Sequence, residues 1–307
     1  MSKKIKFIAI MLIAVVMTLI AVSCGDTETS HSFDLNKDRE GNEIILPETI
    51  DKIMSVGASN TEILTALGMG DKIIAIDPYS ENISGIKSDI PMFDMYAPDA
   101  EQILVLNPDI ILVAGMAKSD GIDSFGIFHD MGICVIYIPS STNIDGIKED
   151  IRYIAAVVGA VSKGEEIVTA MEKDIADIKA IGDTITEKKT VYFEISAAPW
   201  MYSFGRGVFL NEMIEMIGAV NVLGEREDWI SVADEAILDA NPDVILTSVN
   251  YLDDPVGEIK SRDGWNVITA VQNSDVYYID TDASNRPSQN IVKALKEMAK
   301  AVYPDKY

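Results

Sequence analysis

Glu101-Gln102-Ile103-Leu104-Val105-Leu106-Asn107-Pro108-Asp109-Ile110-Ile111-Leu112 recurs as Glu235-Ala236-Ile237-Leu238-Asp239-Ala240-Asn241-Pro242-Asp243-Val244-Ile245-Leu246, with eight of twelve positions identical at a constant offset of 134. In each copy Glu, Ile and Leu make a short helix with its apolar side inward, and Asn-Pro-Asp ends it because proline lacks the N–H a further turn needs. The apolar run that follows, Ile110 to Val113 or Val244 to Thr247, has the length of a fully buried strand. A helix feeding a parallel strand is therefore predicted twice.

A weaker echo pairs Thr61-Glu62-Ile63-Leu64-Thr65-Ala66-Leu67-Gly68 with Asn211-Glu212-Met213-Ile214-Glu215-Met216-Ile217-Gly218 at an offset of 150. Ile63, Leu64 and Leu67 form the apolar side of a helix that Gly68 closes. Apolar runs over 53–56, 72–76, 134–138 and 191–195 read as further strands, and their alternation with helices predicts α/β architecture with a mainly parallel sheet in each of two lobes. Between the lobes, apolar residues keep helical spacing from Ile151 to Ile181, with Ser162 as the expected N-cap of a second segment free of proline. A helix of about twenty residues there spans roughly 30 Å and joins the lobes rigidly. The predicted boundaries are 1–23 for a leader, 24–33 for a tether, 34–160 for the first lobe, 161–184 for the bridging helix and 185–307 for the second lobe.

Composition narrows the function. The chain has 307 residues, and 25 Lys+Arg against 49 Asp+Glu give a net charge of −24, which repels phosphate backbones and excludes nucleic acid as a partner. Two Cys and two His are too few for a disulfide scaffold or a Cys/His metal cluster. Cys134 reads as a small core residue, His129 as part of a helix and His31 as a tether residue. At the N-terminus Lys3, Lys4 and Lys6 precede the apolar run from Phe7 to Ser23, and Ala21-Val22-Ser23-Cys24-Gly25 follows the pattern of an export signal. A Cys directly after small residues resembles the bacterial lipoprotein signal, in which Cys24 would be lipidated; an uncleaved membrane anchor is the alternative. Either way the globular part faces outward on a membrane. Loss of 1–23 leaves 22 Lys+Arg against 49 acids, a net charge of −27.

The motifs together resemble one family, the substrate-binding lipoproteins of ABC importers for iron-siderophores, haem and cobalamin. The resemblance runs from about Phe33 to Tyr307 and rests on the stretch Ile53 to Leu64 with Leu67-Gly68, on the two Glu-to-Asn-Pro-Asp helices, on Ser203-Phe204-Gly205-Arg206-Gly207 and on Arg286-Pro287. It implies two Rossmann-like lobes joined by one long helix, a ligand in the cleft between them, a permease as partner, and neither catalysis nor a resident cofactor. An extracellular two-lobed enzyme is the competing class, and the scarcity of Cys and His argues against it.

In open α/β sheets ligands lie beyond the carboxyl ends of the strands, so the loops opening at Gly57, Asp77, Ala114, Pro139, Ser196, Asn250 and Asp282 are the expected cleft walls. Ser59 and Asn60 lie in the first of them. The two offsets leave 16 extra residues in the first lobe, falling within 77–98, where Tyr79, Met92, Phe93, Met95 and Tyr96 gather. Trp200 and Tyr202 do the same in the second lobe. These side chains either line the cleft against a flat or hydrophobic ligand or pack their own loops. Arg206 and Arg286 either bind an anionic ligand group or pair with nearby acids, and Tyr251 is a further candidate contact. Glu101 and Glu235 occupy equivalent positions in the repeat; the resemblance implies that they dock onto arginines of the permease, and the alternative is two solvated acids at helix starts.

Overall fold

A computed structural model describes residues 32–118 and 122–307, so the leader, Cys24 and His31 lie outside the described residues. The first lobe is a four-stranded parallel sheet of β1 (Ile53–Val56), β2 (Ile73–Ile76), β3 (Ile110–Ala114) and β4 (Cys134–Ile138), in the order β2-β1-β3-β4. Strands β1 and β3 pair in register from Ile53 opposite Ile110 to Val56 opposite Val113, and all eight residues are fully buried. Burial on both faces is why these strands read as unbroken apolar runs. Helices α1 (Ala58–Ala66), α2 (Ala100–Leu106), α3 (Gly126–Asp130) and α4 (Ile144–Val157) cover them.

After the bridging helix α5 (Val161–Gly182) come β5 (Thr190–Glu194), β6 (Tyr202–Phe204), α6 (Phe209–Met216), β7 (Val220–Asn221), β8 (Trp229–Ser231), α7 (Asp234–Ala240) and β9 (Val244–Thr247). The chain ends through α8 (Pro255–Ser261), α9 (Thr269–Asn273), β10 (Val276–Tyr278), α10 (Thr281–Asn285) and α11 (Ile291–Val302). The second parallel sheet runs β10-β9-β5-β7, and β6 and β8 form a separate antiparallel ribbon. Counted in chain order within each lobe, the parallel strands of both sheets lie second-first-third-fourth. The fold is thus duplicated together with the motifs.

The repeated Asn-Pro-Asp has the same job in each lobe. Asn107 and Asn241 take left-handed backbone, with φ of 49° and 43°, which asparagine tolerates at a helix end. The carboxylate of Asp109 then accepts the N–H groups of Asp51 and Lys52 at 2.8 Å, and that of Asp243 accepts the N–H and hydroxyl of Thr190 at 2.8 Å. Each aspartate pins the entry to its lobe's first strand beside its third.

Helix α5 has 22 residues, about 33 Å at 1.5 Å per residue. It begins two residues earlier than the capping signal predicts: Ala160 holds the N-cap position, and Ser162 lies inside the first turn without capping it. The tight turn out of α4 overrides the local preference, because the Ala160 carbonyl already receives the N–H groups of Lys163 and Gly164. A Cβ at Gly164 would come within 2.5 Å of the Ala155 Cβ, so a glycine is needed where the two helices cross. The largest apolar core is continuous through both lobes, α5 and α11. Among the described residues no helix is long and apolar enough to cross a membrane, and no group of three or more His, Cys, Asp or Glu is placed to hold a metal ion.

Candidate functional site

Two cavities of about 490 and 330 Å³ adjoin at Ser59, Met116, Asn285 and Pro287, between the strand ends of the two lobes. The first lobe contributes Ser59 after β1, Tyr79 and Met95 after β2, Met116 after β3 and 139–142 after β4. The second contributes 207–209, Asp228, Trp229, Asn250 and the segment of α10 through Pro287. This is the crevice where the strand order reverses, at β1 and β3.

Asp77 builds one wall. Buried beneath the loop, its carboxylate accepts the N–H of Gly57 at 2.8 Å, the N–H of Tyr79 at 2.8 Å and the hydroxyl of Ser80 at 2.7 Å. Gly57 has a φ of +110°, and a Cβ there would lie 2.5 Å from that of Ala114, so only glycine lets α1 start this close to β3. The backbone of Tyr79 is thereby fixed while its ring stays exposed. Ser59 faces the cleft. Asn60, about 100° further round the helix, is buried behind it, with its Nδ2 donating to the Val56 carbonyl at 3.2 Å and its Oδ1 without a partner among the described residues.

Arg286 reaches the smaller cavity with its charge already matched. Its guanidinium contacts Glu62 at 2.9 Å and Asp282 at 2.8 Å and donates to the Tyr79 carbonyl at 3.0 Å. The other Glu62 oxygen accepts from the Ser288 hydroxyl and from Asn290 Nδ2, the latter at 2.9 Å, so the first lobe's α1 is tied to the C-terminal segment. Arg206 is also paired, with Glu227 at 2.9 Å, and it sits outside the lining of both cavities although Gly207 lies within it.

The aromatic residues of the insertion divide. Phe93 and Met95 turn into the first lobe's core, Met95 still reaching the smaller cavity, while Met92 and Tyr96 are exposed. On the second lobe Trp200 is 83% exposed and Tyr202 is half-exposed on β6. The exposed Tyr251 accepts the Ala197 N–H on its hydroxyl at 2.8 Å, bracing that loop from one side. From the other side the loop is held by the buried Met201, whose sulfur lies 3.2 Å from Arg262. Arg262 grips Glu194 bidentately at 2.7 and 2.9 Å, also pairs with Glu258, and stacks on Trp265 at 4.5 Å. Burial pushes the Glu194 carboxyl up, and the guanidinium opposes that shift. Sequence reasoning did not find this network; the one signal available was an acid closing the apolar run of β5. It also passed over Met116, Trp229 and Asn285. Glu101 and Glu235 stand exposed at equivalent positions of α2 and α7, and neither makes an ion pair among the described residues.

Residues 53–283 match the periplasmic binding protein family. The chain belongs to that family. It is 30% identical over 275 residues to the uncharacterized ABC transporter substrate-binding lipoprotein YvrC of Bacillus subtilis, spanning 88% of this chain and 85% of that protein. It is 24% identical over 256 residues to the vitamin B12-binding protein of Vibrio parahaemolyticus, spanning 82% and 89% respectively. A crystal structure described as a possible iron-binding periplasmic solute-binding protein of Staphylococcus epidermidis superposes with a TM-score of 0.74 at 27% identity, covering 83% of this chain and all of that one. This periplasmic binding protein is therefore the solute-binding component of an ABC transporter and takes a small-molecule ligand; it is not an enzyme.

Proposed function

We propose that this binding protein captures a bulky metal chelate of the iron-siderophore class in the interlobe cleft and delivers it to the transporter's membrane permease. The observation that carries the reading is the lining: Tyr79, Met95, Met116 and Trp229 bound cavities of about 330 and 490 Å³, with Tyr96, Trp200 and Tyr251 on loops of the two lobes and Tyr202 at the start of β6. Flat rings bury much area against a large ligand at little conformational cost, and the flexible thioethers adapt to its shape. Ser59, Asn250 and Arg286 supply the polar contacts, and Arg206 joins them if its pair with Glu227 opens.

A corrinoid is the second reading, and the state of Arg286 favours it. A siderophore carboxylate would have to displace Glu62 or Asp282 from the guanidinium, whereas a ligand held by stacking and neutral hydrogen bonds leaves both pairs in place. The vitamin B12-binding relative points the same way. Haem, also flat and largely apolar, is the third member of the series to be tested.

Glu101 and Glu235 dock onto basic residues of the permease, and Cys24 carries the lipid that holds the protein at the outer face of the cell membrane, as the name of the Bacillus relative suggests. Tryptophan quenching titrations with a ferric siderophore, haem and cyanocobalamin test the ligand class: one of them binds at 1:1, and failure of all three overturns it. Glu101→Ala with Glu235→Ala leaves that affinity unchanged and abolishes uptake by whole cells; surviving uptake removes the docking assignment.

A further inference from the structure

The two halves of the docking face come from one duplicated motif, yet their surfaces differ. Beside Glu101 lies a groove of about 350 Å³, walled on one side by Glu101, Gln102, Val105 and Leu106 of α2 and on the other by Pro91 and Phe93. Pro91 and Phe93 belong to the segment 77–98, which holds the 16 residues that the second lobe lacks. Val105 is 85% exposed, and the repeat places Asp239 at the equivalent position. The second copy therefore has neither the insertion wall nor the apolar helix face, and presents Asp234, Glu235 and Asp239 instead.

An apolar floor rimmed by an exposed carboxylate that has no ion pair among the described residues asks for a partner carrying both chemistries. We infer that the groove receives an apolar side chain from the extracytoplasmic loop of the permease subunit whose basic residue meets Glu101. The inference rests on the docking reading above and extends it: the first lobe is held by charge and by burial of apolar area, the second by charge alone. Burial of apolar surface is not weakened by ionic screening, whereas exposed ion pairs are. The two lobes are then not interchangeable on the permease, and the receptor seats in one orientation.

The test uses the whole receptor and the permease of its own host in lipid nanodiscs. Val105→Asp copies the residue of the other lobe at an exposed position, so the fold and ligand affinity should be unchanged while affinity for the permease falls tenfold or more. Asp239→Val in the second lobe should not weaken binding. If Val105→Asp binds the nanodiscs within twofold of wild type, the groove is not an interface. Glu101→Ala with Glu235→Ala, run in parallel, separates the two ideas: its failure to weaken binding removes the ionic docking reading, whereas a loss there alongside an unaffected Val105→Asp removes only the groove.

Discussion

Glu62 and Glu212 hold the same position in the two copies of one helix, and each reaches across to the opposite lobe, but into different electrostatics. Glu62 is buried against the Arg286 guanidinium at 2.9 Å and two further donors. Glu212 accepts a single backbone N–H, that of Ile144 at the start of α4, at 3.0 Å. Burial pushes its carboxyl above the usual range, and the acids Asp145 and Glu215 add to the shift while the Ile144 N–H opposes it. Duplication kept the position and changed the partner. One contact is an ion pair locked by a network, and the other is a helix-end hydrogen bond to a carboxyl whose ionised form burial disfavours. The junction of Glu62 with the segment around Arg286 should therefore stay fixed when the lobes move, and the junction at Glu212 should give first.

The largest expected effect follows from removing the stronger contact. Glu62→Ala leaves Arg286 with Asp282 and the Tyr79 carbonyl only, and should cost about 3 kcal/mol in urea unfolding, against about 1 kcal/mol for Glu212→Ala. Equal losses would erase the asymmetry. The Asn-Pro-Asp repeat gives the matched control, since its two aspartates make alike contacts. Asp109→Ala and Asp243→Ala should each cost about 2 kcal/mol, agreeing within about 1 kcal/mol, because each removes two hydrogen bonds to a charged acceptor.

The smallest effect is one of sign. Glu212 binds its proton more tightly in the folded than in the unfolded chain, so its ionisation subtracts stability as pH rises through the raised value. Glu212→Gln keeps an oxygen for the Ile144 N–H and cannot ionise. Relative to wild type it should match at about pH 4 and gain on going to about pH 7. Unfolding curves at both values decide it, and a relative loss on raising the pH would contradict the assignment.

Much of the fold was legible because its strands are buried on both faces: Ile110–Ala114 and Val244–Thr247 stand out as apolar runs whatever surrounds them. Strand β7, with two residues, and the ribbon of β6 and β8, three residues each and partly exposed, carry no such signal. Ser162 shows local preference losing to a tight helix crossing. The cleft was legible in composition and not in orientation. The insertion announced its aromatics, but only the backbone path sends Phe93 inward and Tyr79 outward. Arg286 was visible as a scarce cation, yet its partner Glu62 lies 224 residues away in the chain, beyond any spacing rule.

The central claim is that the cleft joining Ser59 to Asn285 holds the ligand, and blocking it tests that claim most directly. Calorimetric titration of wild type and Ser59→Trp with a ferric siderophore, haem and cyanocobalamin should show one of the three binding wild type at 1:1 and losing that binding in the variant, with the thermal unfolding of the two proteins alike. Undiminished binding by Ser59→Trp would place the ligand elsewhere and contradict the account.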